Sequence, residues 1–229
     1  MNIPIDYKIG IGALVAVVLG WLLGQGTTIV RDWKTRQRIK HGLLVELEDA
    51  RQELTRVIWI HARALQLSAH DGLEWSYNAI PVNAFFFRNS YKDVFVRLNH
   101  AQRLSYQETH AAIDQVNKDS ERLEQLLRTL DEKFRTKGLA PGDFEAWNTH
   151  VKMAFRSAKT ALWHVNHHLA NPDNPSLDFL GAVHEGYLKY LETVDAEIEK
   201  IIREAKALNP LDFVKTYDPR SFPKGRPTK

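Results

Sequence analysis

The sequence predicts an all-α protein in which one N-terminal transmembrane helix runs into an antiparallel four-helix bundle. Three observations carry that prediction. A run without a charged residue extends from Ile9 to Val30. Beyond it, apolar residues recur at steps of three and four through most of the chain, the spacing of a helix face turned to a core. No stretch alternates apolar and polar residues for long enough to compete as a strand.

The uncharged run covers 22 positions, and a helix rising about 1.5 Å per residue needs about 20 to cross a hydrocarbon core. Tyr7 and Trp33 flank it, where amphipathic rings favour a headgroup region. A cleaved signal peptide competes, with Gly24 and Gly26 as small residues near a cleavage point. Against it, Lys8 is offset by Asp6, and Arg31, Lys34, Arg36, Arg38 and Lys40 crowd the far side. That asymmetry predicts an extracytoplasmic N-terminus, a cytoplasmic C-terminal domain, and pairing of the basic flank with anionic headgroups. Gly12, Ala16, Gly20 and Gly24 recur every four residues, with Thr28 continuing the series and Gln25 beside it. Such a stripe lets a second helix approach closely, so the segment is expected to self-associate or pair with another membrane helix.

The stripe Ile39, Leu43, Leu47, Ala50, Leu54, Val57, His61 and Ala64 follows with no proline or turn between. Anchor and first bundle helix should therefore form one stem, to about Ala69. His70-Asp71-Gly72 stops it, and Pro81 excludes a regular helix through the next stretch. Residues 70–89 hold Trp75, Tyr77, Ile80, Phe85, Phe86 and Phe87. This segment is expected to pack over one end of the bundle; the alternative is an exposed aromatic patch for a partner.

Ser90 with Asp93, and Ser105 with Glu108, are spaced as helix-start signatures. They predict a helix from Ser90 to about Arg103 that bends or restarts at Ser105. Its stripe continues through Ile113, Val116, Leu123, Leu127, Leu130 and Phe134 to a stop at Gly138-Leu-Ala-Pro-Gly. Ser105, Thr109 and Ser120 occupy seam positions there, marking either a polar pocket or a hydrogen-bonded packing layer. The next helix starts near Asp143 and presents Phe144, Trp147, Val151, Phe155, Ala158, Leu162, Val165 and Leu169. After the turn Asn171-Pro-Asp-Asn-Pro, Ser176 should cap a last helix with an unbroken seam from Leu177 to Leu208. The domain plan is thus a short extracytoplasmic tail (1–8), a transmembrane helix (9–30), a helical bundle (31–208) and a disordered, basic, proline-rich tail (209–229).

Composition excludes several chemistries. Cysteine is absent, so disulfides, thiolate metal sites and a cysteine nucleophile are ruled out. There is no G-x-S-x-G and no glycine-rich phosphate loop. Paired acids such as Glu197 and Glu199 sit among basic residues as solvated charge, and no nucleic-acid recognition motif is present. The one constellation with metal-ligand spacing is His164 and His168 at i, i+4, with His184 on the next helix as third ligand and His150, Glu185 or Asp178 in reserve. The glutamates that complete hydrolase or di-iron motifs are missing, so no cofactor is expected.

The layout resembles that of small bacterial inner-membrane proteins, a likeness of architecture alone. The expected function is a non-enzymatic interaction module that self-associates through its span and binds a cytoplasmic protein partner, with defence or toxicity as one use. An extracytoplasmic ligand-binding sensor and a histidine-based metal enzyme are the alternatives.

Overall fold

The computed structural model describes residues 5–75, 77–78, 80–178 and 180–208, with side chains at Leu14 and from Ala16 onward. Among these residues the protein is helical and holds no strand. Helix α1 spans Ile5–Ser68, α2 Phe85–Val94, α3 His100–Thr136, α4 Pro141–Ala170 and α5 Ala182–Lys206. A single 3-10 turn, Phe95–Arg97, joins α2 to α3.

Helix α1 is continuous over 64 residues, as the uninterrupted pattern requires. It ends where the stop signal stands. Asp71 takes a left-handed conformation (φ 52°), and the Gly72 amide donates to the Leu67 carbonyl at 3.0 Å. Gly72 is needed there because a Cβ would lie 2.9 Å from that carbonyl oxygen. Helix α3 ends on Gly138 (φ 79°), whose amide reaches the Lys133 carbonyl. Helix α4 then opens with Pro141 in its first turn, and the Asp143 carboxylate accepts from both the Ala140 amide and the Lys133 ammonium.

The transmembrane expectation is overturned. Among the described residues no helix is long and apolar enough to cross a membrane. The physical reason lies in the composition of the run: between Ala16 and Val30, Gly20, Gly24, Gln25, Gly26, Thr27 and Thr28 contribute little or no apolar surface. The single-pass inner-membrane placement, with its N-terminus outside, falls with the span. What stands in its place is a helical arm, the part of α1 before Ile39, projecting from the bundle.

The antiparallel four-helix plan also needs correction. Residue pairs fix the directions. His110 faces Glu46, Asn117 holds Val82, and Trp75 lies against Phe134 near the ends of α1 and α3, so these two helices run parallel. Ser68 meets Asn148 while His168 meets Ser105, so α4 runs antiparallel to both. His70 donates to the Ala205 carbonyl at 2.8 Å, which places the ends of α1 and α5 together and makes α5 parallel to α1. Helix α4 packs against α1, α3 and α5 and carries the most deeply buried rings, Trp147 and Phe155.

The chain returns from the end of α1 to the start of α3 through residues 69–84 and α2, which run back lengthwise along α1 rather than over one end. Arg56 reaches the Ile80 carbonyl, Glu53 accepts from the Asn83 amide, and Glu46 accepts from the amides of Phe86 and Phe87 at 2.5 and 2.9 Å. Across the groove Asn117 makes two hydrogen bonds to Val82, and Arg88 pairs with Asp114. This segment is a fifth stave. Extended backbone in a groove leaves its N–H and C=O groups without ladder partners, and these side chains satisfy them.

Three helix starts differ from expectation for local reasons. Helix α2 begins at Phe85, five residues before Ser90, with the Glu46 carboxylate serving its first amides in place of a local cap. Helix α3 is capped by Asn99, whose side chain accepts from the Gln102 amide while Gln102 answers the Asn99 amide. Ser105, one and a half turns inside, is buried against α4 instead. Ser176 caps nothing; its carbonyl accepts from His167, and α5 begins at Ala182 behind Gly181.

Candidate functional sites

Two features stand out from the packed body. The first is the arm of α1. Leu14, Val17, Val18, Leu19, Trp21, Leu22, Leu23, Ile29, Val30 and Trp33 are all exposed, none less than 49%. Successive residues of a helix are turned by about 100°, so these ten side chains spread over about two thirds of the circumference, and Ala16, Gly20, Gly24 and Thr27 make up the remaining face. Ala16, Gly20, Gly24 and Gln25 are exposed with them, while the Gly12 side-chain position lies outside the described residues. A Cβ on Gly20 or Gly24 would meet nothing within 4 Å. The glycines are therefore not demanded by contacts within this chain. Thr27 and Thr28 turn their hydroxyls back onto the Gly24 carbonyl, which leaves the surface less polar than its composition suggests. The basic residues follow directly: Arg31, Lys34 and Arg38 are exposed, Arg36 and Lys40 half-buried, and Arg36 pairs with Asp32 at 3.7 Å.

The second feature is a cavity of about 180 Å³ between α3, α4 and α5, lined by Glu108 of α3, Trp163 and His164 of α4, Leu177 and Asp178 of the connection, and Val183, His184 and Tyr187 of α5. Trp163 is held in place by stacking flat on His167 (ring centroids 5.1 Å apart, planes within 2°), and His167 is itself anchored by donating to the Ser176 carbonyl. Tyr187 lies 4.8 Å from Trp163 and 5.6 Å from His164, centroid to centroid. Burial pushes the His164 imidazole down to about 4, and its Nδ1 is enclosed with no hydrogen-bond partner.

The histidines separate on this geometry. His164 and His184 come to one cavity, whereas His168 is fully buried at the α3–α4 interface. There it hydrogen-bonds Ser105 Oγ at 2.9 Å and packs on Tyr106. An i, i+4 pair differs by about 40° around the helix, and α4 sits between α3 and α5, so that small angle divides the pair. Among the described residues no group of three or more His, Asp or Glu could hold a metal ion.

The aromatic segment is likewise divided. Tyr77 is buried, edge-on to Trp147 at 6.0 Å and bonded to His61 Nδ1 at 3.3 Å. Phe86 and Phe87 are half-buried on the core, Phe87 stacking on His110 at 3.6 Å. Only Trp75 and Phe85 of the five face solvent. The polar seam of α3 is a packing layer: Ser105 bonds His168, Ser120 bonds Tyr77, and Thr109 lies buried among them.

Sequence reasoning missed Trp163 and Glu108 as cavity residues. Trp163 adjoins His164 in the chain, and that pairing of a large ring with an inward histidine was the available signal. Glu108 had been assigned to a helix start that lies elsewhere. In comparisons with known protein families, curated proteins and solved structures, nothing matches this chain.

Proposed function

We infer that the chain is a helical interaction module that assembles with further copies of itself through the arm of α1, holding its bundles beside one another for a protein partner. The observation that supports this is the arm: ten large apolar side chains, exposed over about two thirds of a helix's circumference with no part of the bundle against them. Apolar surface of this extent is stable when other helices cover it, and arms packed side by side cover the faces they turn toward one another. The open positions at Gly20 and Gly24 allow such close packing, and the lysines and arginines beyond them limit it to the apolar part. No nucleophile, phosphate loop or metal-ligand motif in the sequence calls for an enzyme.

The chain contains no cysteine, which gives a direct test. In the full chain, Gly24→Cys should form disulfide-linked dimers quickly on mild oxidation, and Glu199→Cys on the bundle surface should form them slowly. Sedimentation velocity should show one discrete oligomer, shifted toward monomer by Gly20→Leu with helix content retained. A monodisperse monomer at tens of micromolar, or equal cross-linking at both positions, would sink the assignment.

A further inference from the structure

We propose that the cavity between α3, α4 and α5 binds a small organic ammonium ion, a protonated amine on an apolar body of roughly six to ten heavy atoms. The size follows from the volume: about 180 Å³ is somewhat larger than the ~150 Å³ apolar cavity known to accept benzene. The charge follows from the lining. Two carboxylates, Glu108 and Asp178, reach the cavity, and no lysine or arginine does. Trp163 and Tyr187 supply ring faces, whose negative quadrupole attracts a cation within about 6 Å.

One feature of the site argues for an anion and must be weighed. The first turn of α5 borders the cavity through Val183 and His184, and a helix N-terminus carries partial positive charge. A carboxylate beside that end offsets its charge. Asp178 Oδ1 accepts from the Leu180 amide at 3.2 Å, and the Asp178 carboxylate lies so close over Gly181 that a Cβ there would fall 2.0 Å from Oδ2. Asp178 is thus engaged by the Leu180 amide, just ahead of the N-cap Gly181. Glu108 is left without an ion pair or hydrogen bond among the described residues, and it is the carboxylate available to a ligand. The stack of Trp163 on His167, tied to Ser176, means the cage stands ready before the ligand arrives.

Calorimetry and ligand-observed NMR on the full chain with three probes of similar size test this: 2-phenylethylammonium, 2-phenylethanol and phenylacetate. The ammonium should bind at least about tenfold more tightly than the alcohol, and the carboxylate most weakly. Glu108→Gln should abolish the preference for the ammonium, and Glu192→Gln, on the exposed side of α5, should leave it intact. Equal binding of all three probes would show a plain apolar slot, preference for the carboxylate would show an anion site at α5, and no binding at millimolar probe would show no site. Each of these overturns the proposal. Should Glu108→Gln fail to fold, the probe series on the unaltered protein still decides.

Discussion

Between Leu43 and Leu65 the inward positions of α1 are sealed: Leu43, Leu47, Leu54, Ala64 and Leu65 expose nothing, and α4, α5 and the returning segment close over them. Between Leu14 and Trp33 the same helix carries more apolar residues per turn and none is covered. A stripe that repeats by threes and fours describes a helix with one wet face and needs only its own chain for cover. The large apolar residues of the arm spread over about two thirds of its circumference, and no element of the bundle packs against them. The two halves of α1 therefore differ in cover: the second is covered from within the molecule, and the first is left, on the proposed assembly, to further copies of the chain.

Substituting one tryptophan in each region gives the widest separation. Trp147 is fully buried and meets Tyr77 edge-on, so Trp147→Ala should cost about 3–5 kcal/mol in urea unfolding. Trp21, 62% exposed, should change the stability of the bundle by less than about 0.5 kcal/mol when replaced by alanine. If Trp21→Ala destabilised the bundle as much, the arm would have cover within the chain and the comparison would fail.

Acid should open the covered region next. His61, His110 and His168 are buried, and burial holds them neutral, with His61 pushed down to about 3 and the other two to about 4. Each has a folded value below the unfolded one near 6.5, so the unfolded chain binds more protons between those values. Their contribution is complete above about pH 6.5 and is lost as pH falls toward 4, at up to ~1.4 kcal/mol per unit for each histidine. Glu46, 3.9 Å from His110, works the other way, because burial raises its carboxyl and its protonation favours the folded state. Three histidines outweigh one partly exposed carboxylate. The urea midpoint should drop steeply from pH 7 to pH 5, while a midpoint that is flat across this range would show that these imidazoles are not buried as described.

Within the covered region, the returning segment depends on few contacts. Glu46→Ala removes the acceptor for the Phe86 and Phe87 amides and should cost about 1–3 kcal/mol, with early hydrogen exchange confined to α2. Exchange spreading evenly through α3 and α4 would show that the segment is not a separate stave.

What the sequence made legible follows from the range of the interactions involved. The end of α1 at Asp71-Gly72, the stop at Gly138 and the start of α4 at Pro141 and Asp143 all rest on contacts within a few residues, and the local pattern predicts them. The seams of α3 and α4 were legible for the same reason, since periodicity reports burial whatever lies opposite. The path of the returning segment and α2 was not, because Glu53 and Asn117 hold Asn83 and Val82, and Glu46 holds the start of α2, from 30 or more residues away. With that path unknown, the parallel order of α1 and α3 could not be derived. The site suffered likewise: spacing put His164 and His168 on one face, but only the placement of α3 and α5 on either side of α4 sends one to the cavity and the other to Ser105. The membrane span was over-read from an absence of charge, which counts glycine, threonine and glutamine as though they were apolar.

The smallest effect separates the two halves of α1 with one chemical change. Glycine in a helix interior costs roughly 0.5–1 kcal/mol against alanine, so alanine should help wherever there is room. At Gly42 there is none, because a Cβ would lie 2.5 Å from Cζ of Phe86, the ring that seats α2 on α1. Phe86 must swing aside, and overpacking of that kind costs about 1–3 kcal/mol, so Gly42→Ala should be net destabilising by about 1 kcal/mol. At Gly20 nothing lies within 4 Å, and the arm can fray without opening the bundle. Gly20→Ala should therefore leave the urea midpoint unchanged and, because alanine is still small, leave the assembly intact where leucine breaks it. A loss of assembly with alanine would mean that the arms meet backbone to backbone at Gly20, closer than a methyl group allows. Retention with both alanine and leucine would place the seam on another face of the arm.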